Sequence, residues 1–129
     1  MKLWTLKSFT RPDGKLIVAE WYEQQSEAVQ VAFITRMKFL RARPEDGWDR
    51  PHVGQLRHGE CKGLYEIVLK VNKVQYRPLG YYSAQMEFTI VAFATERDGK
   101  FDPPNICETA QERIKLIEER KGRVREFTI

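Results

Sequence analysis

From Leu64 to Val71 apolar and polar positions alternate: Tyr65, Ile67, Leu69 and Val71 fall on one side and Glu66, Val68 and Lys70 on the other. That is the period of a strand with one buried face. Asn72-Lys73 is turn-like, so a hairpin leads into a strand over Gln75–Tyr82. Ser83-Ala84-Gln85 reads as a second turn, and Glu87–Thr95 as the most apolar strand, central in a sheet. Asp98-Gly99-Lys100 marks a third tight turn.

The flanks carry the helical period. Leu3–Phe9 reads as a short strand, and Arg11-Pro12-Asp13-Gly14 as a turn before a helix over Leu16–Gln25. Ser26 is a good N-cap for a second helix, in which Val29, Ala32, Phe33, Met37 and Leu40 fall at helical spacing. Arg36, Lys38, Arg41 and Arg43 crowd its C-terminal half. They offset the helix dipole there, or contact an RNA backbone. Pro44–Gly63 reads as a long irregular segment holding both histidines, His52 and His58. Asp102-Pro103 looks like the start of a last helix, with Asn105 and Glu108 as a capping box one turn on. Ile106, Ala110, Ile114 and Ile117 line its inner face, and Gly122 is its natural C-cap. Residues 122–129 are a flexible tail or a short added strand.

The expected fold is therefore α+β, one domain over residues 1–129. Two N-terminal helices and a C-terminal helix would cover one face of an antiparallel sheet of about four strands, leaving the other face partly open. The chain has 129 residues and a net charge of +4, which fits an anionic partner and equally fits a solvated surface. No window approaches the roughly 18 apolar residues of a membrane span. Cys61 and Cys107 form no CxxC pair. They could make one disulfide, but with no sign of secretion reduced thiols in the cytoplasm are expected.

No phosphate-binding glycine loop, zinc motif or nucleophile elbow is present; neither a metal nor a cofactor is expected. What remains is cations, carboxylates and aromatic surfaces, a set that suits RNA cleavage. Attack of a ribose 2′-hydroxyl on its phosphate needs a base, an acid and cations for the developing charge. Arg77 is the first candidate: it lies within an apolar strand, where it either faces a phosphate, snorkels, or pairs with Glu66. Arg97 and Lys100 stand where the apolar strand gives way to a turn. Lys70, Glu66 and His58 are candidates for proton transfer. Arg57, Lys73, Tyr81 and Tyr82 are candidates for RNA contact, the tyrosines by stacking on a base or else by packing in the core.

The stretch from Arg50 to Arg120 resembles the phage-derived branch of the RelE/HigB-like toxin superfamily. The elements that carry the resemblance are Leu56-Arg57, Gly63-Leu64-Tyr65-Glu66-Ile67, Tyr76-Arg77-Pro78-Leu79-Gly80-Tyr81-Tyr82, Phe88-Thr89-Ile90-Val91, Ala94-Thr95-Glu96-Arg97, Lys100-Phe101-Asp102-Pro103 and the helix with Ala110 and Arg113. The resemblance implies helices on a curved antiparallel sheet whose concave side carries the active site. It implies a toxin of a type II toxin–antitoxin pair that cleaves mRNA on the ribosome without metal and is neutralised by a cognate antitoxin, expected to be of helix-turn-helix type. Arg77 matches the family's strand arginine at the scissile phosphate, and Arg97 its second basic position. On the first strand of the meander, where family members carry lysines, this chain has Glu66 and Val68. The alternative is a non-catalytic phage-derived module that binds RNA or protein, or a phage structural component.

Overall fold

The computed structural model describes residues 2–129. Strand β1 (Thr5–Thr10) leads to helices α1 (Ile17–Glu23) and α2 (Glu27–Arg41). The segment expected to be irregular holds strand β2 (Val53–Gln55) and a 3-10 turn at Gly59–Cys61. Strands β3 (Tyr65–Ile67), β4 (Leu69–Val71), β5 (Val74–Ala84), β6 (Glu87–Arg97) and β7 (Lys100–Asp102) follow, then helix α3 (Ile106–Glu118) and strand β8 (Arg123–Glu126). No helix among the described residues is long and apolar enough to cross a membrane.

The sheet corrects the expected architecture. It has eight strands, not about four, in the order β2-β3-β5-β6-β1-β8, with β4 also paired to β5 and β7 to β6. It is mixed, because β1 runs parallel to β6 while every other pairing is antiparallel. The two helices follow a strand, and the RelE-like arrangement is set aside. Neither face is left open. Phe33, Met37 and Leu40 of α2 pack with Ile67, Leu69, Phe88 and Ile90 on one face. Ile106, Cys107 and Ala110 of α3 pack with Leu64, Leu79, Ala92 and Ala94 on the other. Each sheet face is apolar enough to need a helix against it.

Local chemistry explains the connections. Asn72 and Lys73 take left-handed φ values of 49° and 69° and close a two-residue hairpin between Val71 and Val74. Asp98 and Gly99 do the same at φ 52° and 77°, so Lys100 already belongs to β7. The second turn sits one residue later than its polar run suggests, at Gln85-Met86, because Ala84 still pairs with Glu87. The run from Leu64 to Val71 breaks at Val68, whose amide donates to His52 O at 2.8 Å instead of to the ladder. Ser26 caps α2 as its sequence implies, its Oγ accepting from Val29 N at 3.4 Å. Helix α3 starts later than Asp102-Pro103 implies and lacks a side-chain cap at Asn105. Its exit is turned by Arg120 at φ 60°, not by Gly122. Gly122 lies close under Leu116, where a Cβ would stand 3.0 Å from that residue's Cβ. The tail resolves as the added strand, β8 pairing with β1.

A bulge divides β6. Leu79 lies opposite Ala92 and Gly80 opposite Ile90, leaving Val91 as the extra residue. Ile90 therefore joins the α2 face while Val91 and Ala92 join the α3 face. Arg113 of α3 donates to the bulged Val91 carbonyl at 2.8 Å, and its guanidinium lies 5.2 Å from the Phe9 ring centre. Burial pulls the Arg113 pKa below its ordinary value, with Glu20 and Glu112 acting the other way.

Cys61 and Cys107 are joined, Cα to Cα 4.9 Å, so the expectation of two free thiols is corrected. The bridge ties the 3-10 turn to the first turn of α3. Gln111 Nε2 adds hydrogen bonds to the Glu60 and Lys62 carbonyls, both at 3.0 Å.

Candidate functional site

Strand pairing gathers the charges of the meander on the α3 face. Glu96 lies opposite Gln75, Ala94 opposite Arg77, and Glu66 opposite Leu79. Arg77 is only 8% exposed and Glu66 7%. Arg77 Nε stands 3.2 Å from Glu66 Oε1, and Nη2 stands 3.4 Å from Glu96 Oε1. Nη2 donates to Gln75 Oε1 and Nη1 to Tyr76 O, each at 3.0 Å. The Nε contact is a charge contact without the alignment of a hydrogen bond. Arg50, lying over Gly54, reaches Glu66 Oε2 at 3.3 Å. Two arginines thus face two carboxylates. Burial dictates this pairing, since an isolated charge on an apolar face would be far costlier. A guanidinium held this way has no open fork for a phosphate.

The other sequence-derived candidates are dispersed. Lys70 lies opposite Gln75 on the same face and is exposed. Arg97 is one residue past Glu96, so alternation turns it to the opposite side of the sheet from Arg77. It pairs across the hairpin with Lys100, and its nearest carboxylate oxygen, on Asp98, is 4.0 Å away. Arg57 and His58 are exposed in the loop before the 3-10 turn, and Lys73 is exposed at a hairpin tip. Glu66, expected on an open face, is buried.

The two tyrosines face opposite ways. Tyr81 packs with the α3-side core, and burial raises its pKa, with Glu118 and Glu87 adding to the effect. Tyr82 sits in an aromatic cluster, its ring centre 4.5 Å from Tyr65, 5.4 Å from Phe88 and 5.7 Å from Trp4. Burial first, then Tyr65 and Asp49, push its pKa up to about 12. Tyr82 is half-buried, its ring packed against the α2-side core.

A different group assembles at the C-terminal end of α2. Arg36, Phe39 and Arg43 are three and four residues apart and share one side of the helix path. The guanidinium carbons of Arg36 and Arg43 lie 6.0 and 5.3 Å from the Phe39 ring centre. His52 comes in from the following loop, its ring 4.7 Å from Phe39 and inclined at 62°. Its Nδ1 accepts from Arg36 Nη1. Phe39 is 40% exposed. Among the described residues none of Arg36, Lys38, Arg41 and Arg43 has an ion-pair partner. The buried Nε atoms of Arg36 and Arg41 lack hydrogen-bond partners. Lys38 and Arg41 flank the helix on its other side, away from Phe39.

Two indoles fix this end of the helix. Trp48 Nε1 donates to Leu40 O at 2.9 Å and Trp4 Nε1 to Arg43 O at 3.0 Å, with the rings stacked at 4.4 Å. Leu40 O also accepts from Arg43 N at 3.0 Å, so indole and backbone together close this end of the helix. The i, i+3, i+7 spacing of Arg36, Phe39 and Arg43 is visible in the sequence, where the cations also read as dipole compensation. Nothing local marks His52 as their neighbour. No known protein family, curated protein or solved structure matches the chain.

Proposed function

We propose that the chain is a non-catalytic RNA-binding module whose contact surface is the basic and aromatic end of α2. One observation carries this reading: Arg36 and Arg43 flank an exposed phenylalanine and have no carboxylate partner among the described residues. Arginine suits the role because its planar fork fits phosphate oxygens and stacks on rings. The net charge of +4 favours approach of a polyanion.

The ribosome-dependent endoribonuclease suggested by the family resemblance rests on Arg77 and Arg97. The first is held by Glu66 and Glu96, and the second faces the other side of the sheet. Binding without cleavage is therefore the better supported reading. The Cys61–Cys107 bridge lies on the α3 side of the sheet. Reductant is accordingly expected to leave RNA affinity unchanged.

The test is a salt titration of labelled RNA binding. Two arginine–phosphate contacts predict a slope of log K against log salt near about −1.4 for a single strand. The RNA should be recovered intact. No binding at low salt removes the proposal, and cut RNA returns the nuclease reading to first place.

A further inference from the structure

Resting on that reading, we infer that Phe39 is a stacking platform for an unpaired base, so that the ligand of the α2 end is single-stranded. Leu3, Val31, Phe39 and Val74 are the large hydrophobic side chains left exposed among the described residues, and Phe39 is the aromatic one. A lone exposed leucine or valine needs no explanation. An exposed ring between two unpaired guanidinium groups has the make-up of single-strand binding surfaces, where cations follow the backbone and rings take the bases.

The geometry sets the ligand's form. A duplex keeps its base faces inside the stack and offers a protein only groove edges and phosphates. Phe39 has no hydrogen-bonding group for an edge and no charge for a phosphate, so the flat face of an unpaired base is the partner its ring matches. Arg43 lies 5.3 Å from the ring centre, and its other contact is a long 3.4 Å hydrogen bond from Nε to Gly47 O. Its guanidinium can therefore move to a phosphate as a base settles on the ring. His52 closes the ring's flank and holds Arg36. The guanidinium carbons of Arg36 and Arg43 lie 6.0 and 5.3 Å from the ring centre, so they span at most about three stacked nucleotides at ~3.4 Å each, a short footprint.

The experiment uses fluorescence anisotropy with a labelled mixed-sequence oligonucleotide of about ten nucleotides. Its arms are single-stranded RNA, single-stranded DNA and the corresponding duplex at matched salt. The single strands should bind about tenfold more tightly than the duplex and within about threefold of each other, because stacking ignores the 2′-hydroxyl. Phe39→Ala and Phe39→Leu should each lower single-strand affinity by about 5- to 100-fold and leave duplex binding unchanged. Phe39→Trp should retain or strengthen it. Arg43→Gln should weaken every arm and reduce the salt slope by about 0.7–0.9. Circular dichroism of each variant checks that it folds.

Equal affinity for duplex and single strand, or unchanged binding in both Phe39→Ala and Phe39→Leu, overturns the stacking platform while the RNA-binding proposal stands. A strict requirement for RNA over DNA also overturns it, in favour of a surface that reads ribose. Displacement of the strand by polyglutamate at equal charge concentration overturns it in favour of a general acidic-ligand surface. Absence of binding in every arm at low salt overturns both inferences together.

Discussion

Arg77 Nε stands 3.2 Å from Glu66 Oε1, and both side chains are nine-tenths buried. A pair so placed is held together by the cost of separating it. Removing Arg77 leaves buried Glu66 only the largely exposed Arg50, and breaking a buried pair in this way typically costs about 3–5 kcal/mol. Arg77→Ala should therefore destabilise the fold by that amount, read as a lowered midpoint in urea unfolding. Combining it with Glu66→Gln should recover part of the loss, because the carboxylate no longer needs a partner. Additive losses would show that Glu66 and Arg77 do not act as a pair.

Gly80 is fixed by close approach of two strands. A Cβ there would stand 2.2 Å from Thr89 O and 2.6 Å from Phe88 Cε2, and neither a backbone oxygen nor a buried ring can yield cheaply. Gly80→Ala should therefore cost about 1–3 kcal/mol or more through overpacking at the bulge. Thermal unfolding checks it. An unchanged melting temperature would mean that β5 and β6 separate there without penalty.

How far the sequence foretold this molecule depends on whether each feature is local. The alternation from Tyr65 to Val71, the Asn72-Lys73 and Asp98-Gly99 hairpins and the Ser26 cap are all decided within a few residues, and all are present. The parallel pairing of β1 with β6 joins residues about eighty positions apart in sequence and leaves no local trace. The bulge at Val91 is equally silent, yet it sorts the residues of β6 between the two cores. Strands β2 and β7 are three residues long, too short for a period to register. Glu66 fell on the expected side of its strand, but Arg77 and Arg50 close against it there, so the expected open-face carboxylate is buried. Pairing with Arg77 was among the readings the strand pattern allowed. The Phe39 cluster was legible in its helical spacing, while His52 reaches it only through the fold of a loop.

The Cys61–Cys107 bridge closes a loop spanning 46 positions. In the chain-entropy account a crosslink of that reach stabilises a fold by about 2–4 kcal/mol, by restricting the unfolded chain. Reduction, or Cys61→Ser with Cys107→Ser, should therefore lower the melting temperature by roughly 10 °C. Since Gln111 also holds the 3-10 turn, the native arrangement should survive the loss, giving an unchanged far-ultraviolet spectrum. An unchanged melting temperature under reductant would mean that the bridge adds nothing to stability.

Tyr82 makes stability depend on alkaline pH. Its pKa is pushed up to about 12 by burial, with Tyr65 and Asp49 adding to it, against an ordinary value of 10.0. The unfolded chain gives up this proton near pH ~10 and the folded one about two units higher. Below ~10 both states keep the proton and the contribution is fully present. Between about 10 and 12 only the unfolded state ionises, so stability falls as pH rises. Tyr82→Phe keeps the ring against Tyr65, Phe88 and Trp4 and removes the titrating hydroxyl. Denaturation midpoints of the variant should decline less steeply over that range. They should not become flat, because Tyr81 is also raised, by burial and by Glu118 and Glu87. Identical alkaline limbs for the two proteins would show that Tyr82 ionises as freely in the folded state as in the unfolded one.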